Sequence, residues 1–289
     1  MMIRLHAYAK LNLYLRVFGK RTDRYHEIET IFERIDLADE LTFEPAETLR
    51  LTCDDPTLSC GEDNLMLRAA RLLQTATGTA QGAALHLIKR IPIAAGLGGG
   101  SSDASATLIG LNQLWKLKLQ PRQLLEMAVR LGADVPFFLL EAPFAVGRGR
   151  GDLCHPLPVP TACLTHVLVV PQARLSTKDV FSTAEFDLTA PKPSSTMVAH
   201  ALSNGSLGEL AQGLWNDLEP EAIRRCPLIS VIQSRLREHG CLGVRLSGSG
   251  PSVFGLCRDE AHAHEVMSAL RSSAPTSWRI ELVRTQNQP

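Results

Sequence analysis

Residues 91–114, IPIAAGLGGGSSDASATLIGLNQL, are the stretch that decides the fold. A β-favouring start leads into a turn that contains four glycines, at positions 96 and 98–100, and two serines follow it. Glycine lets the backbone turn sharply and come close to a ligand. A helix should follow, with one apolar face formed by Ala104, Leu108, Leu111 and Trp115. Its candidate N-terminal caps are Ser101, Ser102 and Asp103.

The glycine-rich turn predicts a phosphate site. A helix that starts here would offer unpaired N–H groups and the positive end of its dipole, and Ser101 and Ser102 could add hydroxyls to a phosphate or a metal ion. A plain strand-to-helix turn is the alternative, but it does not require so many glycines. The turn is not a P-loop, because Gly100 stands where that motif needs Lys, nor a dinucleotide fingerprint, which wants Gly where Ser101 stands.

A second glycine turn, SGSGPS at residues 247–252, lies between two predicted strands. Alone it fits an ordinary hairpin turn. Together with the first turn it could form a second wall of an active site.

Two charged residues sit in apolar surroundings. Asp134 follows a predicted helix end and precedes VPFF. It could orient and deprotonate a hydroxyl in phosphoryl transfer, or it could simply cap a turn. Lys10 lies in a strand on the same face as Tyr8 and Asn12. It could reach solvent along its stem, or it could face a phosphate or an acid.

Tyr25 and His26 follow a basic turn that contains Lys20, Arg21 and Arg24. Their pattern fits either a half-buried pair at a strand edge or a ligand contact, and the residues alone do not choose between the two.

Composition excludes several classes. Lys+Arg and Asp+Glu number 30 each, so the net charge is zero and no basic surface for nucleic acid or an anionic membrane is indicated. Seven cysteines without a C-x-x-C pair disfavour a disulfide framework or a zinc site and fit a reducing cytoplasm. We see neither a signal peptide nor an apolar run of about 18 residues, so a cytoplasmic location is expected.

The remaining patterns mix strands with helices, which predicts an α+β or α/β fold. Strands are predicted at residues 3–17, 40–43, 49–52, 83–89, 165–170, 241–246, 252–256 and 277–283. Helices are predicted at residues 64–76, 121–131, 196–202, 222–239 and 261–272. A proline-rich stretch at residues 154–160 suggests a domain boundary near residue 160.

Residues 92–103, PIAAGLGGGSSD, closely resemble the phosphate loop of the galactokinase, homoserine kinase, mevalonate kinase and phosphomevalonate kinase (GHMP) superfamily. The order of parts matches too, with AKLNL at residues 9–13 first and LSGSG at 246–250 near the end. Four segments resemble the branch that acts on a cytidine diphosphate-linked methylerythritol: KLNL at 10–13, GKR…YHEI at 19–28, GADVPF at 132–137 and NDLE at 216–219. The chain departs from that branch at Arg24, where Gly is common, and at Asp152, where Glu is common.

The resemblance implies a two-domain α+β kinase. Residues 1–160 would form an N-terminal α/β domain with the glycine-rich phosphate loop and the catalytic Asp, and residues 161–289 a C-terminal ferredoxin-like domain. The enzyme would use ATP and Mg²⁺ to phosphorylate the 2-hydroxyl of its substrate, in the non-mevalonate route to isoprenoid precursors. It would act as a monomer or homodimer, without nucleic acid or membrane partners.

The resemblance also implies residue roles. Asp134 would receive the proton of the substrate hydroxyl, and Lys10 would pair with Asp134 and help to place that hydroxyl. The substrate would be bound by Asn12, Tyr25, His26, Thr177 and Phe181, with Phe181 stacked on the pyrimidine. ATP would be bound by Pro92, Ala94, Ala95, Gly96, Leu97, Gly98, Gly99, Gly100, Ser101, Ser102 and Gly248. Ser101 or Ser102 would lie near Mg²⁺.

Two other functions fit the superfamily. One is a kinase of another small alcohol, such as homoserine or a mevalonate, for which the aromatic residues Tyr25, His26 and Phe181 would have no base to bind. The other is a non-catalytic relative that only binds ligand, which would be expected to lose Asp134 or the glycines.

Overall fold

The computed structural model describes residues 2–23, 25–159 and 163–287. The strands are β1 (Ile3–Lys20), β2 (His26–Ala46), β3 (Arg50–Cys53), β4 (Gly82–Ile88), β5 (Phe144–Gly149), β6 (Leu153–Pro156), β7 (Thr165–Val170), β8 (Trp215–Asn216), β9 (Gly243–Leu246), β10 (Val253–Cys257) and β11 (Arg279–Arg284). The helices are α1 (Leu65–Thr77), α2 (Gly99–Leu114), α3 (Pro121–Leu131), α4 (Thr177–Thr183), α5 (Ser195–Asn204), α6 (Leu207–Gly213), α7 (Glu219–Arg225), α8 (Leu228–Glu238) and α9 (Glu260–Ser273), with a 3-10 helix at Val135–Leu139. The expected mixture of helices and strands is confirmed.

The chain divides into two compact units. The first comprises Met1–Ala9, Leu37–Ile93 and Gly98–Glu141, and the second Lys10–Asp36, Ala94–Leu97 and Ala142–Pro289. The long strands β1 and β2 contribute residues to both, so each unit is assembled from separated stretches of chain. Residue 160 lies outside the described residues, as does Arg24, and the division into 1–160 and 161–289 stays a prediction.

In the first unit, strands pack against three helices. β4 pairs antiparallel with β2 and parallel with β3. Helices α1, α2 and α3 contact one another. The core that they bury includes Phe43, Leu73, Leu85, Leu108 and Leu111. The apolar face predicted for α2 is therefore confirmed.

The second unit contains a four-stranded antiparallel sheet in the order β11-β7-β10-β9. Strands and helices alternate along the chain as β7, α8, β9, β10, α9 and β11 around this sheet, which is the ferredoxin-like pattern. Side chains of the sheet and of α8 and α9 form its core, including Val167, Ile229, Ile232, Leu246 and Val266. The ferredoxin-like prediction is confirmed.

Three further strand pairs belong to the second unit. β1 runs parallel to β8, with Tyr14 opposite Trp215. β5 pairs antiparallel with β2 and with β6. The β2–β5 register sets Ile28 opposite Gly149, so the turn after β5 lies beside the start of β2. A small cluster of Leu15, Val17, Ile28, Val180 and Leu218 packs α4 in this region.

The structure corrects two sequence predictions. The helix predicted over 222–239 is two helices, because Pro227 lacks an N–H donor and disfavours helical geometry at Cys226, which has φ −137° and ψ 85°. The caps predicted for α2 are also wrong. Gly98 occupies the cap position, with φ 71°, so Ser101, Ser102 and Asp103 lie inside the helix.

Among the described residues, no helix combines the length and the apolar character needed to cross a bilayer.

Gly110 provides a test of packing in the first unit. A Cβ added there would lie 2.6–2.9 Å from three ring carbons of Phe43, whose side chain is fully buried. We expect Gly110→Ala to lower the free energy of unfolding by about 1–3 kcal/mol, measured by denaturant unfolding followed by circular dichroism. The control is Gly208→Ala in α6, where an added Cβ meets nothing within 4 Å. An equal response of the two variants would contradict the packing argument.

Candidate active site

Lys10 is buried, with 3% of its surface exposed. Its ammonium donates hydrogen bonds to Asn12 Oδ1 and, at 2.9 Å, to the carbonyl oxygen of Gly96. Asn12 in turn donates through Nδ2 to Thr30 Oγ1 at 2.8 Å. The backbone N–H of Lys10 donates to the carbonyl of Leu97 at 3.0 Å, which binds β1 to the first glycine turn. Lys10 therefore does not extend to solvent, and its role of facing a phosphate or pairing with an acid stays a prediction.

The second glycine turn packs directly on the first. Ser247 Oγ donates to the carbonyl of Gly96 at 3.0 Å. A Cβ on Gly96 (φ +78°) would lie 2.2 Å from the carbonyl oxygen of Ser247. A Cβ on Gly248 (φ +55°) would lie 3.1 Å from Lys10 Nζ and 3.2 Å from Asn12 Oδ1. Only glycine fits both positions. The turn joins the antiparallel strands β9 and β10 as a hairpin, and it also packs against Lys10.

The NDLE segment at 216–219 holds the second turn from behind. Asn216 donates through Nδ2 to the carbonyls of Leu246 and Gly248 at 2.9 and 2.8 Å. Its Oδ1 accepts from the N–H of Leu218. Glu219 accepts from the N–H of Leu246 at 2.9 Å. The segment was part of the resemblance without a role, and these contacts provide a structural one.

Asp217 in that segment supports β1. Its Oδ2 accepts from the N–H of Val17 at 2.8 Å, and its Oδ1 accepts from Lys192 Nζ and Trp215 Nε1, each at 2.7 Å. The carboxylate thereby joins three separated stretches of the second unit.

The rest of the first glycine turn starts α2 in the first unit. The N–H of Ser102 donates to the carbonyl of Gly98, so the N–H groups that precede it in the first turn have no intrahelical acceptor. These N–H groups, the helix dipole and the Ser101 hydroxyl form an arrangement suited to phosphate. In the part of the turn that belongs to the second unit, Ala94 has φ 54° and the carbonyl of Ala95 accepts from Ser252 at 3.3 Å.

A buried charge cluster next to α2 was missed by sequence reasoning. Lys89 Nζ donates to Asp39 Oδ2 and, at 2.8 Å, to Asp103 Oδ2. Asp39 Oδ1 also accepts from the N–H groups of Arg90 and Ile91 at 2.6 and 2.8 Å. All three charged side chains are at most 5% exposed. The signal was a Lys at the end of an apolar strand, but its two partners are distant in sequence.

The cluster holds two carboxylates and one ammonium. Burial raises the pKa of Asp103 to about 7, although the Lys89 ammonium opposes the shift and Asp39 reinforces it. Burial lowers the pKa of Lys89, but Asp103 and Asp39 outweigh it, so that pKa lies above its usual value. Asp103 therefore holds its proton below about pH 7.

Asp134 stands at the cap position of the 3-10 helix and is partly buried. Its side chain makes no capping hydrogen bond to that helix. Both interpretations of Asp134, as a catalytic acid or as a turn residue, stay predictions.

Apart from Asn12, which bonds Lys10, the predicted substrate residues of the second unit form two groups. The His26 ring stacks on Phe181, with centroids 5.3 Å apart and planes at 28°, and meets Phe186 edge-on. Burial and the Lys20 charge lower the pKa of His26, which keeps its imidazole neutral near pH 7. Thr177 lies on the same helix as Phe181. Its Oγ1 hydrogen-bonds Ser249 Oγ of the second glycine turn at 2.8 Å.

Tyr25 is held separately. Its side chain is exposed, and the guanidinium of Arg150 lies over its ring, 4.9 Å from the centroid. The N–H of Tyr25 donates to Asp23 Oδ1 at 3.1 Å. Sequence reasoning did not identify Arg150, because the contact depends on the β2–β5 register.

Comparison with known protein families identifies both halves of the chain. The family model described as "GHMP kinases N terminal domain" matches residues 64–142, and the model described as "GHMP kinases C terminal" matches residues 198–276. A 4-diphosphocytidyl-2-C-methyl-D-erythritol kinase of Pelotomaculum thermopropionicum is 40% identical over 289 residues, covering 99% of each chain. The chain belongs to the GHMP kinase family. It is an ATP-dependent kinase of a small molecule.

Solved structures agree with the assignment of this GHMP kinase. A crystal structure of 4-(cytidine 5'-diphospho)-2C-methyl-D-erythritol kinase has a TM-score of 0.80 and 36% identity, covering 97% of this chain and 99% of that one. A homoserine kinase from Cytophaga hutchinsonii has a TM-score of 0.76 at 20% identity, covering 99% of this chain and 94% of that one, which shows the shared fold alone. A kinase of Gloeobacter violaceus with the 4-diphosphocytidyl-2-C-methyl-D-erythritol name is 38% identical, covering 93% of this GHMP kinase and 90% of that protein.

Gly96 should be irreplaceable even by alanine. An alanine there would have to adopt a left-handed backbone conformation, and its Cβ would clash with the Ser247 carbonyl oxygen. We expect Gly96→Ala to lower kcat/KM for ATP at least about tenfold, measured as ADP release. The matched control is Gly78→Ala, with a similar φ of +70° but no neighbour within 4 Å of the added Cβ. Comparable activity in both variants would rule out the steric explanation.

The Lys89 cluster should make folding stability depend on pH. The folded pKa of Asp103 is about 7, above its usual 3.8, so the folded state binds this proton more tightly. The stabilising contribution is full below about pH 4 and is lost as the pH rises to about 7, with a slope of at most about 1.4 kcal/mol per pH unit. We expect Asp103→Asn to remove this pH-dependent contribution. The free energy of unfolding of the variant, relative to that of wild type, should therefore rise from pH 5 to pH 8. Denaturant unfolding at several pH values measures the difference, and a difference independent of pH would contradict the assignment.

Proposed function

We propose that this GHMP kinase transfers the γ-phosphoryl group of ATP to the 2-hydroxyl of 4-diphosphocytidyl-2-C-methyl-D-erythritol, giving ADP and the 2-phosphate. The reaction belongs to the non-mevalonate route to isoprenoid precursors. The observation that carries the proposal is the full-length similarity, at 40% identity, to a relative that bears this enzyme's name. The buried Lys10 between two glycine turns supports it from the chain's own geometry.

The proposed chemistry relies on positioning and charge. Phosphoryl transfer passes through a loose transition state, so there is little covalent work for the protein to do. Asp134 would accept the proton of the attacking hydroxyl, because a carboxylate beside that hydroxyl can act as its general base. Lys10, oriented by Asn12 and the Gly96 carbonyl, would help to place the hydroxyl. The N–H groups at the start of α2 would bind the phosphates.

The pyrimidine would be bound by Tyr25, His26 and Phe181, with Thr177 and Asn12 as further polar contacts. A neutral His26 offers one donor and one acceptor, which suits the edge of a cytosine. Aromatic rings supply stacking surface for a flat base.

Mg²⁺ would be held near Ser101 and Ser102. Magnesium usually takes few protein ligands and keeps phosphate oxygens and waters, so hydroxyls at a phosphate loop fit it. Within residues 2–23, 25–159 and 163–287, no group of three or more His, Cys, Asp or Glu side chains could hold a metal ion. When bound, the ion would neutralise charge on the ATP phosphates.

The proposal extends to the setting of the enzyme. Balanced charge and cysteines without a paired motif support a cytoplasmic enzyme that binds neither nucleic acid nor membrane, and we propose that it is a monomer or homodimer.

The experiment measures ADP release by the purified protein with ATP, Mg²⁺ and 4-diphosphocytidyl-2-C-methyl-D-erythritol, beside the same alcohol without the cytidylyl group. We expect turnover with the cytidylyl compound only, because the aromatic residues have no base to bind in the other. Turnover with homoserine or mevalonate instead would overturn the substrate assignment.

Asp134→Asn is the catalytic control in that experiment. Asparagine keeps the shape but cannot accept the proton, so turnover should nearly vanish while the unfolding midpoint and ATP binding are retained. Full activity in this variant would remove Asp134 from the mechanism.

A further inference from the structure

Arg150 is a partly buried residue that contacts the Tyr25 ring and has no role in the proposed mechanism. It lies in the turn of residues 149–152 between β5 and β6. Because Ile28 pairs with Gly149 in antiparallel register, the chain that continues past Gly149 runs alongside the residues that precede Ile28. This register brings Arg150 to Tyr25, although the two residues are 125 positions apart in the sequence.

The guanidinium of Arg150 is fixed within its own turn. Its Nη2 and Nε donate to Asp152 Oδ2 at 2.7 and 3.1 Å. The backbone N–H of Arg150 donates to Asp152 Oδ1 at 3.1 Å. The side chains are 24% and 11% exposed, so the pair is largely shielded from water. A planar guanidinium held on two of its nitrogens has one orientation.

That orientation places the cation over the Tyr25 ring, 4.9 Å from its centroid. The ring is attracted to the cation through its negative face. Tyr25 itself is 53% exposed, and its N–H is tied to Asp23. An exposed aromatic side chain would otherwise lose rotamer freedom when a base stacks on it, which weakens binding.

We propose that Arg150 is a positioning residue that holds the Tyr25 ring ready for the pyrimidine of the substrate. It acts through Tyr25 and touches neither the base nor the reacting atoms. Asp152 fixes Arg150, so the order of support runs from Asp152 to Arg150 to Tyr25. The proposal rests on the proposed function, in which Tyr25 contacts the cytidylyl group.

Steady-state kinetics of Arg150→Met test it. Methionine keeps an unbranched apolar stem and removes the cation. KM for the cytidylyl alcohol should rise about three- to thirty-fold, while kcat and KM for ATP stay within about twofold, because only binding of the base is weakened. Calorimetric binding of cytidine 5'-diphosphate should weaken by the same factor.

The matched control is Arg148→Met. Arg148 is on β5, two positions earlier, and pairs with Glu29 at 2.9 Å. Its removal takes away an equal charge from the same hairpin without touching Tyr25, so all three kinetic constants should stay within about twofold. Equal KM increases in both variants would mean a general charge effect and would overturn the proposal.

A double-mutant cycle decides whether Arg150 acts through the ring. In a Tyr25→Leu background, Arg150→Met should add less than about twofold to KM. A full additional effect there would mean that Arg150 contacts the substrate directly. Tyr25→Phe keeps the ring, and in that background the effect of Arg150→Met should persist.

Two further outcomes keep the failures apart. Turnover by wild type with an unchanged KM in Arg150→Met overturns only this inference, whereas no turnover with the cytidylyl alcohol overturns the proposed function and the inference together. If Arg150→Met unfolds, Asp152→Asn replaces it. That variant keeps the guanidinium but replaces its charged acceptor with a neutral amide, so it should raise the same KM by a smaller factor.

Discussion

The ammonium of Lys10 is buried on β1, and a buried charge is tolerated only where polar groups surround it. Its partners are Asn12 on the same strand and the carbonyl of Gly96 in the first glycine turn. That carbonyl is also bound by Ser247 of the second turn. One cation therefore constrains a strand and two loops, and the other features of the second unit support this arrangement.

Close backbone packing is the condition for it. Gly96 and Gly248 approach the opposite turn so closely that a methyl group would meet a carbonyl oxygen or the Lys10 ammonium. The NDLE segment then holds the second turn by its carbonyls, through Asn216, and by an N–H, through Glu219. Side-chain amides and carboxylates do this work because the turn has few side chains of its own to pack.

The first unit also contains a buried cation, Lys89, which is stabilised by two carboxylates. The Lys89, Asp39 and Asp103 side chains are shielded from water beside the start of α2. Asp39 also accepts from the N–H groups of Arg90 and Ile91, just before the glycine turn. Removing Lys89 would leave the buried carboxylates without their cation, which is far more costly than a lost surface ion pair. The cluster thus makes the entry to the phosphate loop rigid.

Local patterns in the sequence determined much of this protein. The glycine turn with its following helix, the strands with period-two alternation, and the family resemblance of Lys10, Asp134 and Tyr25-His26 are all short-range signals. The break between α7 and α8 was also written locally, in Pro227, and was overlooked. Tertiary structure alone decided which side chains meet. The Lys89 cluster joins residues 39, 89 and 103, and Arg150 reaches Tyr25 only because Ile28 pairs with Gly149. Such partners depend on strand register and on burial, and a single sequence carries no periodic signal for contacts between residues so far apart.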